Sequence, residues 1–116
     1  MTREFIRLPE FEKQCKRIGI SEDDIMAIEI VLLDNPASGD LIQETGGIRK
    51  LRIPLPNTGK SGGARVVYVD FAFYEKIYLL TVYAKSETEN LTKAERNKLK
   101  SLTGILLSEL RKKVLK

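Results

Sequence analysis

Leu8, Phe11, Cys15 and Ile18 recur at helical spacing around Pro9, which predicts a short amphipathic helix over residues 9–18 that Gly19 stops. Ser21 with Asp24 three residues on resembles a capping box, and Ile25, Ile28, Val31 and Leu32 follow on one face as far as Asn35-Pro36. The two segments make a helical hairpin. The pattern changes after Gly46-Gly47: over residues 48–55, Leu51, Ile53 and Leu55 share one side while Lys50 and Arg52 share the other, the period-two signature of a strand. A glycine-rich loop leads to a strand at 64–72, a tight turn over 73–76 and an apolar strand at 77–84, which together read as an antiparallel meander. Thr92 with Glu95 is a capping box of T-x-x-E form, and Leu99, Leu102, Leu106, Leu110 and Val114 mark a final amphipathic helix. Residues 3–7, with Phe5 between charges, add a short first strand.

The resulting order, β-α-α-β-β-β-α, describes a single α+β domain over residues 1–116, with the helical hairpin and the C-terminal helix packed on one face of a mostly antiparallel sheet. That arrangement leaves the opposite face open. Lys50, Arg52, Arg65 and Lys85 fall on, or at the ends of, adjacent strands and would converge across it. Each alone reads as a solvated strand residue; four on one meander form a candidate site.

Charge sharpens this picture. Residues 1–47 carry five Lys/Arg against ten Asp/Glu, residues 48–85 seven against two, and residues 86–116 eight against four, within a net charge of +4. Positive charge concentrated in the middle of the chain makes a focused field suited to a polyanion, whereas the C-terminal lysines read as a solubilised helix face. The 42% hydrophobic and 31% charged content is ordinary for a soluble domain. No apolar run approaches the roughly 20 residues needed to span a bilayer, and the polar start MTREFIR is not a signal peptide, so a cytoplasmic protein without membrane contact is expected. One cysteine and no histidine exclude an internal disulfide and an ordinary Cys/His zinc site. Cys15 lacks a histidine to activate it and is expected in the core.

Gly59-Lys60-Ser61 ends like a phosphate-binding P-loop, but the pattern needs a glycine where Pro54 stands and a helix where Val66-Val67-Tyr68-Val69 reads as strand. The loop is therefore expected to be a hairpin connection whose Lys60 overhangs the open face.

The stretches GDLIQETGGIRKLRI, GKSGGARVVYVDF and YLLTVYAKSE, in this order, resemble the RelE/ParE superfamily of bacterial toxins, and within it most closely the HigB-like toxins. The resemblance runs from about the second helix to the start of the last. It implies the toxin of a type II toxin-antitoxin system: a ribosome-dependent mRNA interferase that cuts mRNA in the A site, held inactive by a cognate antitoxin, of the HigA-like helix-turn-helix kind for HigB-like toxins. The partners implied are that antitoxin, the ribosome and mRNA. Carried over residue by residue, the family's strand pair of cations matches Lys50 and Arg52, the arginine opening its next strand matches Arg65, and the basic residue ending its last strand matches Lys85. Arg49, Lys60 and Tyr83 are the further residues expected on RNA. The sequence departs from the family in having no histidine and no tyrosine after Tyr83.

Cleavage of this class uses the 2′-OH of the substrate itself, so neither metal nor cofactor is expected, and the product is a 2′,3′-cyclic phosphate. Arg65 suits the phosphate oxygens, with Arg52 and Lys85 as charge clamps and Lys50 as the proton acceptor. Tyr83 would donate to the leaving oxygen or stack on a base; a half-buried core tyrosine is the competing reading. Two other functions stay open: a ParE-like poison of DNA gyrase and a non-catalytic basic RNA-binding domain.

Overall fold

The computed structural model describes residues 2–54, 63–85 and 91–114. In chain order these form β1 (Glu4–Arg7), α1 (Pro9–Ile18), α2 (Glu22–Asp34), β2 (Asp40–Leu41), β3 (Ile48–Ile53), β4 (Ala64–Phe71), β5 (Lys76–Ala84) and α3 (Lys93–Val114), with a 3-10 turn over Ala72–Tyr74 between β4 and β5. The five strands make one sheet in the order β1-β5-β4-β3-β2. Its neighbours are antiparallel except β1, which runs parallel to β5. This is the expected α+β order with a two-residue strand, β2, added at one edge.

The helix ends follow local chemistry. Pro9 occupies the first turn of α1, and Gly19 closes it in the left-handed region at φ 82. Ser21 Oγ accepts from the Asp24 N–H at 3.1 Å while the Asp24 carboxylate accepts from the Ser21 N–H at 3.0 Å. Thr92 and Glu95 repeat the arrangement before α3: the Thr92 N–H donates to Glu95 Oε1 at 2.9 Å and the Glu95 N–H to Thr92 Oγ1 at 3.1 Å. Each such cap stabilises its helix by about 1 kcal/mol.

The helices do not share one face of the sheet, as the sequence reading had them. The α1–α2 hairpin packs Phe11, Ile18, Ile28 and Leu32 against Leu51, Val66, Tyr68 and Leu79, while α3 lays Leu102, Leu106 and Leu110 against Ile48, Val69, Tyr78 and Leu80 on the opposite side. The reason lies in the central strands. Val66, Val67, Tyr68 and Val69 are all buried, as are Ile77 through Leu80, and a strand apolar at consecutive positions needs cover on both faces.

Two features set the geometry above this double core. Tyr68 lies fully buried with its hydroxyl donating to the Pro36 carbonyl at 2.7 Å and accepting from the Gly39 N–H at 2.9 Å, which ties the chain leaving α2 to the sheet. In β5 the register steps: Val67 faces Thr81 but Tyr68 faces Leu79, so Leu80 is an extra residue. This bulge reverses the phase of the strand beyond it. Tyr78 and Leu80 point toward α3, and unbroken alternation would send Val82 there too; instead Val82 enters the α1–α2 core and Tyr83 takes the α3 side.

Candidate functional site

Alternation along β3 and the cross-strand register together decide which polar side chains meet. Arg52 is directly opposite Arg65, and Arg65 is directly opposite Tyr83, so the three form one row across β3, β4 and β5. Lys50, Val67 and Thr81 form the adjacent row on the same face. Directly opposed residues have Cβ atoms about 4.5–5.5 Å apart, and like charges so placed destabilise the pair. Arg52 and Arg65 thus bring two guanidinium groups into one row. Lys85 extends the ladder by one bond, its N–H donating to the Gly63 carbonyl at 3.1 Å. Gly63 sits at φ +71, and a Cβ there would lie 2.0 Å from the Ile53 carbonyl oxygen, so only glycine lets β3 and β4 close up beside Arg65.

Three cations outside this group are held in ion pairs. Arg3 is 2.8 Å from Asp70, Arg7 pairs with Glu22 at 2.8 Å and Glu29 at 3.4 Å, and Lys76 pairs with Glu4. Among the described residues neither Lys50 nor Arg52 has an ion-pair partner. The Arg65 guanidinium folds back far enough for Nη1 to donate to the Ala64 carbonyl at 3.2 Å.

The structure does not bring Arg49 to this group. It shares the face of Leu51 and Ile53, and its Nη1 donates to the Gly39 carbonyl at 2.8 Å, completing the tie that Tyr68 makes. Arg49 therefore stands apart from the Lys50, Arg52 and Arg65 group. Lys60 lies outside the described residues.

Tyr83 is half-buried, and its hydroxyl is enclosed without a hydrogen-bond partner. Burial pushes its ionisation upward; the nearby Arg65 charge opposes this shift and Glu95 adds to it. The ring borders a cleft of about 380 Å³ between sheet and helix, lined by Val67, Thr81 and Tyr83 below and Leu91, Glu95, Lys98 and Leu99 above. A second, smaller cleft of about 220 Å³ is lined by Ile42, Lys50, Leu91 and Arg96. Leu91 borders both, so the N-terminal turns of α3 flank the cation rows. Glu95, Arg96 and Lys98 were missed from the sequence: Glu95 read only as a cap, and the basic residues as solubilising charge.

The other candidate chemistry is quiet. Cys15 is buried and desolvation pushes its thiol up to about 11, which keeps it protonated and unreactive at neutral pH. Among the described residues no group of three His, Cys, Asp or Glu side chains is placed to hold a metal ion, and no helix is long and apolar enough to cross a membrane. What the face offers is positive charge from neighbouring strands, of a kind that can hold the oxygens of a phosphodiester.

Among solved structures the chain is similar to E. coli toxin RelE, seen in the free state as a double arginine-to-alanine mutant, with a TM-score of 0.57 over 84% of this chain and 97% of that one. Sequence identity is only 17%, so this likeness speaks to the fold. The family model describing the RelE toxin of the RelE/RelB toxin-antitoxin system matches residues 6–116, from within β1 through α3. With a family match over nearly its whole length, the chain is a member of the RelE toxin family of toxin-antitoxin systems.

Proposed function

We propose that this toxin is a ribosome-dependent mRNA interferase, HigB-like in kind, that cuts mRNA in the A site and so inhibits translation. The observation that carries the reading is the row of Arg52, Arg65 and Tyr83 with Lys50 one row away on the same face. In the reaction the ribose 2′-OH gives up its proton, its oxygen attacks the adjacent phosphorus, and the 5′-oxygen of the next nucleotide leaves and takes a proton. The products are a 2′,3′-cyclic phosphate and a 5′-hydroxyl, and no water is consumed.

Arg52 and Arg65 hold the non-bridging oxygens, whose negative charge grows in the pentavalent transition state. Lys50, in its neutral amine form after losing a proton to solvent, receives the 2′-OH proton, and Lys85, at the far side of Arg65, adds positive charge. Tyr83, protonated at any physiological pH, supplies the leaving oxygen with a proton once substrate binding uncovers its enclosed hydroxyl. The ribosome completes the alignment of the substrate, which a face without histidine needs.

Purified protein added to translating ribosomes, with cut sites mapped by primer extension, tests this. Codon-phased cuts are expected, ending in a cyclic phosphate, and Arg65→Ala should lower the rate by about 10²–10³-fold, the usual loss of one transition-state donor. Inhibition of gyrase supercoiling without cutting would replace the reading with a gyrase poison. RNA binding with neither activity would leave a binding module.

The partner is proposed to be a helix-turn-helix antitoxin, HigA-like, whose acidic segment covers the cationic face. The outward side of α2 supports a second contact. Ile25, Ile28 and Leu32 face the core, yet Met26, Ile30 and Leu33 are exposed, Ile30 by 63%, and α2 carries no Lys or Arg. A helix apolar all round is normally covered all round. Pairing α2 with itself would set Asp23 beside Asp34 or beside its own copy, acid against acid, so an amphipathic antitoxin helix with basic flanks fits better.

A further inference from the structure

The 380 Å³ cleft begins one residue row from Arg65, because Val67 and Thr81 in its floor lie two positions along their strands from Arg65 and Tyr83. That step is about 6.6–6.8 Å. The scale matches the offset between a backbone phosphate and the base of its own nucleotide. The cleft is at the small end of small-molecule sites, with room for one base. Val67, Leu91, Leu99 and the Tyr83 ring supply apolar walls suited to a planar ring, and Thr81, Glu95 and Lys98 supply the polar rim.

The rim has a readable pattern. Glu95 and Lys98 are three residues apart on α3 and therefore neighbours on one face. The Glu95 carboxylate is pulled below the ordinary range by its hydrogen bonds from the Thr92 N–H and hydroxyl, so at neutral pH it is ionised and only accepts. One of its oxygens is fixed by the Thr92 N–H at 2.9 Å, which orients the other. Lys98 only donates. Tyr83 lines the same cleft with its ring, while its hydroxyl is enclosed in the free protein.

We propose that this cleft holds a guanine base of the bound RNA, with Glu95 and Lys98 reading its Watson–Crick edge. Guanine is the base that sets two adjacent donors, N1–H and the N2 amine, next to an acceptor, O6. A carboxylate accepts from the two donors and an ammonium donates to O6. Adenine would turn the N1 lone pair toward the carboxylate, and neither pyrimidine offers two neighbouring donors. The Tyr83 ring packs against the base while its neighbour Arg65 holds the phosphate. This rests on the RNA-cleaving reading and adds a base preference to it.

The test compares short fluorescent RNA oligomers, uridine-rich with a single central G, A or C, by anisotropy with the intact protein, alongside the base composition at mapped ribosomal cut sites. Wild type should bind the G oligomer about tenfold or more tighter than the A oligomer, the discrimination of one good bidentate contact. Glu95→Gln keeps a side chain that still closes the capping box, so the thermal midpoint should hold while the G preference collapses at both readouts. Lys98→Met should weaken G binding and leave the other oligomers unchanged. Equal binding of all oligomers by wild type, or an undiminished G preference in E95Q, overturns the proposal. A protein that prefers G by anisotropy but never cuts on ribosomes would sink the interferase reading and leave the cleft assignment standing.

Discussion

Replacing Tyr83 with phenylalanine separates function from packing at the centre of the site. The hydroxyl is enclosed without a hydrogen-bond partner, so the folded protein bears its desolvation with nothing in return. Leaving a buried polar group unsatisfied costs about 1–3 kcal/mol, and Tyr83→Phe deletes that group while keeping the ring that packs against the α3-side core. The variant should be more stable by about 1 kcal/mol, which for a chain of this size raises the thermal midpoint by about 4 °C. Its activity should move the other way. A hydroxyl that protonates the leaving oxygen contributes about 10²-fold or more, so single-turnover cleavage on programmed ribosomes should fall by that factor. A more stable but slower enzyme is the expected result, the usual trade where an active site keeps a destabilising group. Urea or thermal unfolding and the cleavage assay on one preparation check both halves. A lower midpoint would mean that the hydroxyl is paired within the folded chain, and unchanged cleavage would reduce Tyr83 to a core aromatic; either refutes the reasoning.

Arg49→Met should lower stability by about 1–3 kcal/mol in urea unfolding, by leaving the Gly39 carbonyl unpaired, without slowing cleavage by the folded fraction. A tenfold loss of cleavage at unchanged stability would restore it as an RNA contact. Tyr68→Phe should cost a similar amount, since the buried Gly39 N–H and the Pro36 carbonyl both lose their partner. Gly63→Ala forces a Cβ to within 2.0 Å of the Ile53 carbonyl oxygen at φ +71 and should destabilise by about 2 kcal/mol or more, with a matching fall in urea midpoint. For Cys15 the folded thiol titrates at about 11 against an unfolded value of 9.0, so its contribution is whole below pH 9 and is lost as pH rises to about 11. That loss amounts to about 2–3 kcal/mol, and Cys15→Ala should flatten this part of the stability profile in equilibrium unfolding between pH 8 and 11.

The elements were legible because each is written locally. Pro9, Gly19, Ser21 with Asp24, and Thr92 with Glu95 mark helix ends through side chains that bond within a turn of themselves, and those bonds form in the structure. What surrounds each element is not local. Val31 matched the core period of α2 yet is 44% exposed, because that helix is apolar on every side and the pattern cannot say which side the sheet takes. The parallel pairing of β1 with β5 joins residues about seventy positions apart, with no turn between them to announce it. The split of the helices between both faces did have a signal: unbroken runs such as Val66-Val67-Tyr68-Val69 leave no polar side to expose.

The site shows the same division at finer grain. Alternation put Lys50 and Arg52 together, and the same rule, applied one residue earlier, puts Arg49 on the other face with Leu51; its adjacency in sequence to Lys50 was misleading for that reason. Tyr83 and Lys85 are the harder case. Counting by twos from Tyr78 sends Tyr83 into the α1–α2 core and away from Arg65, and only the extra residue, Leu80, restores it. Nothing in IYLLTVY marks which residue bulges, because Leu79, Leu80 and Thr81 all suit a strand. The bulge is therefore a tertiary decision, made where β5 must satisfy two cores at once. Leu79 goes to one and Leu80 to the other, and the phase change that follows delivers the tyrosine to the arginine row.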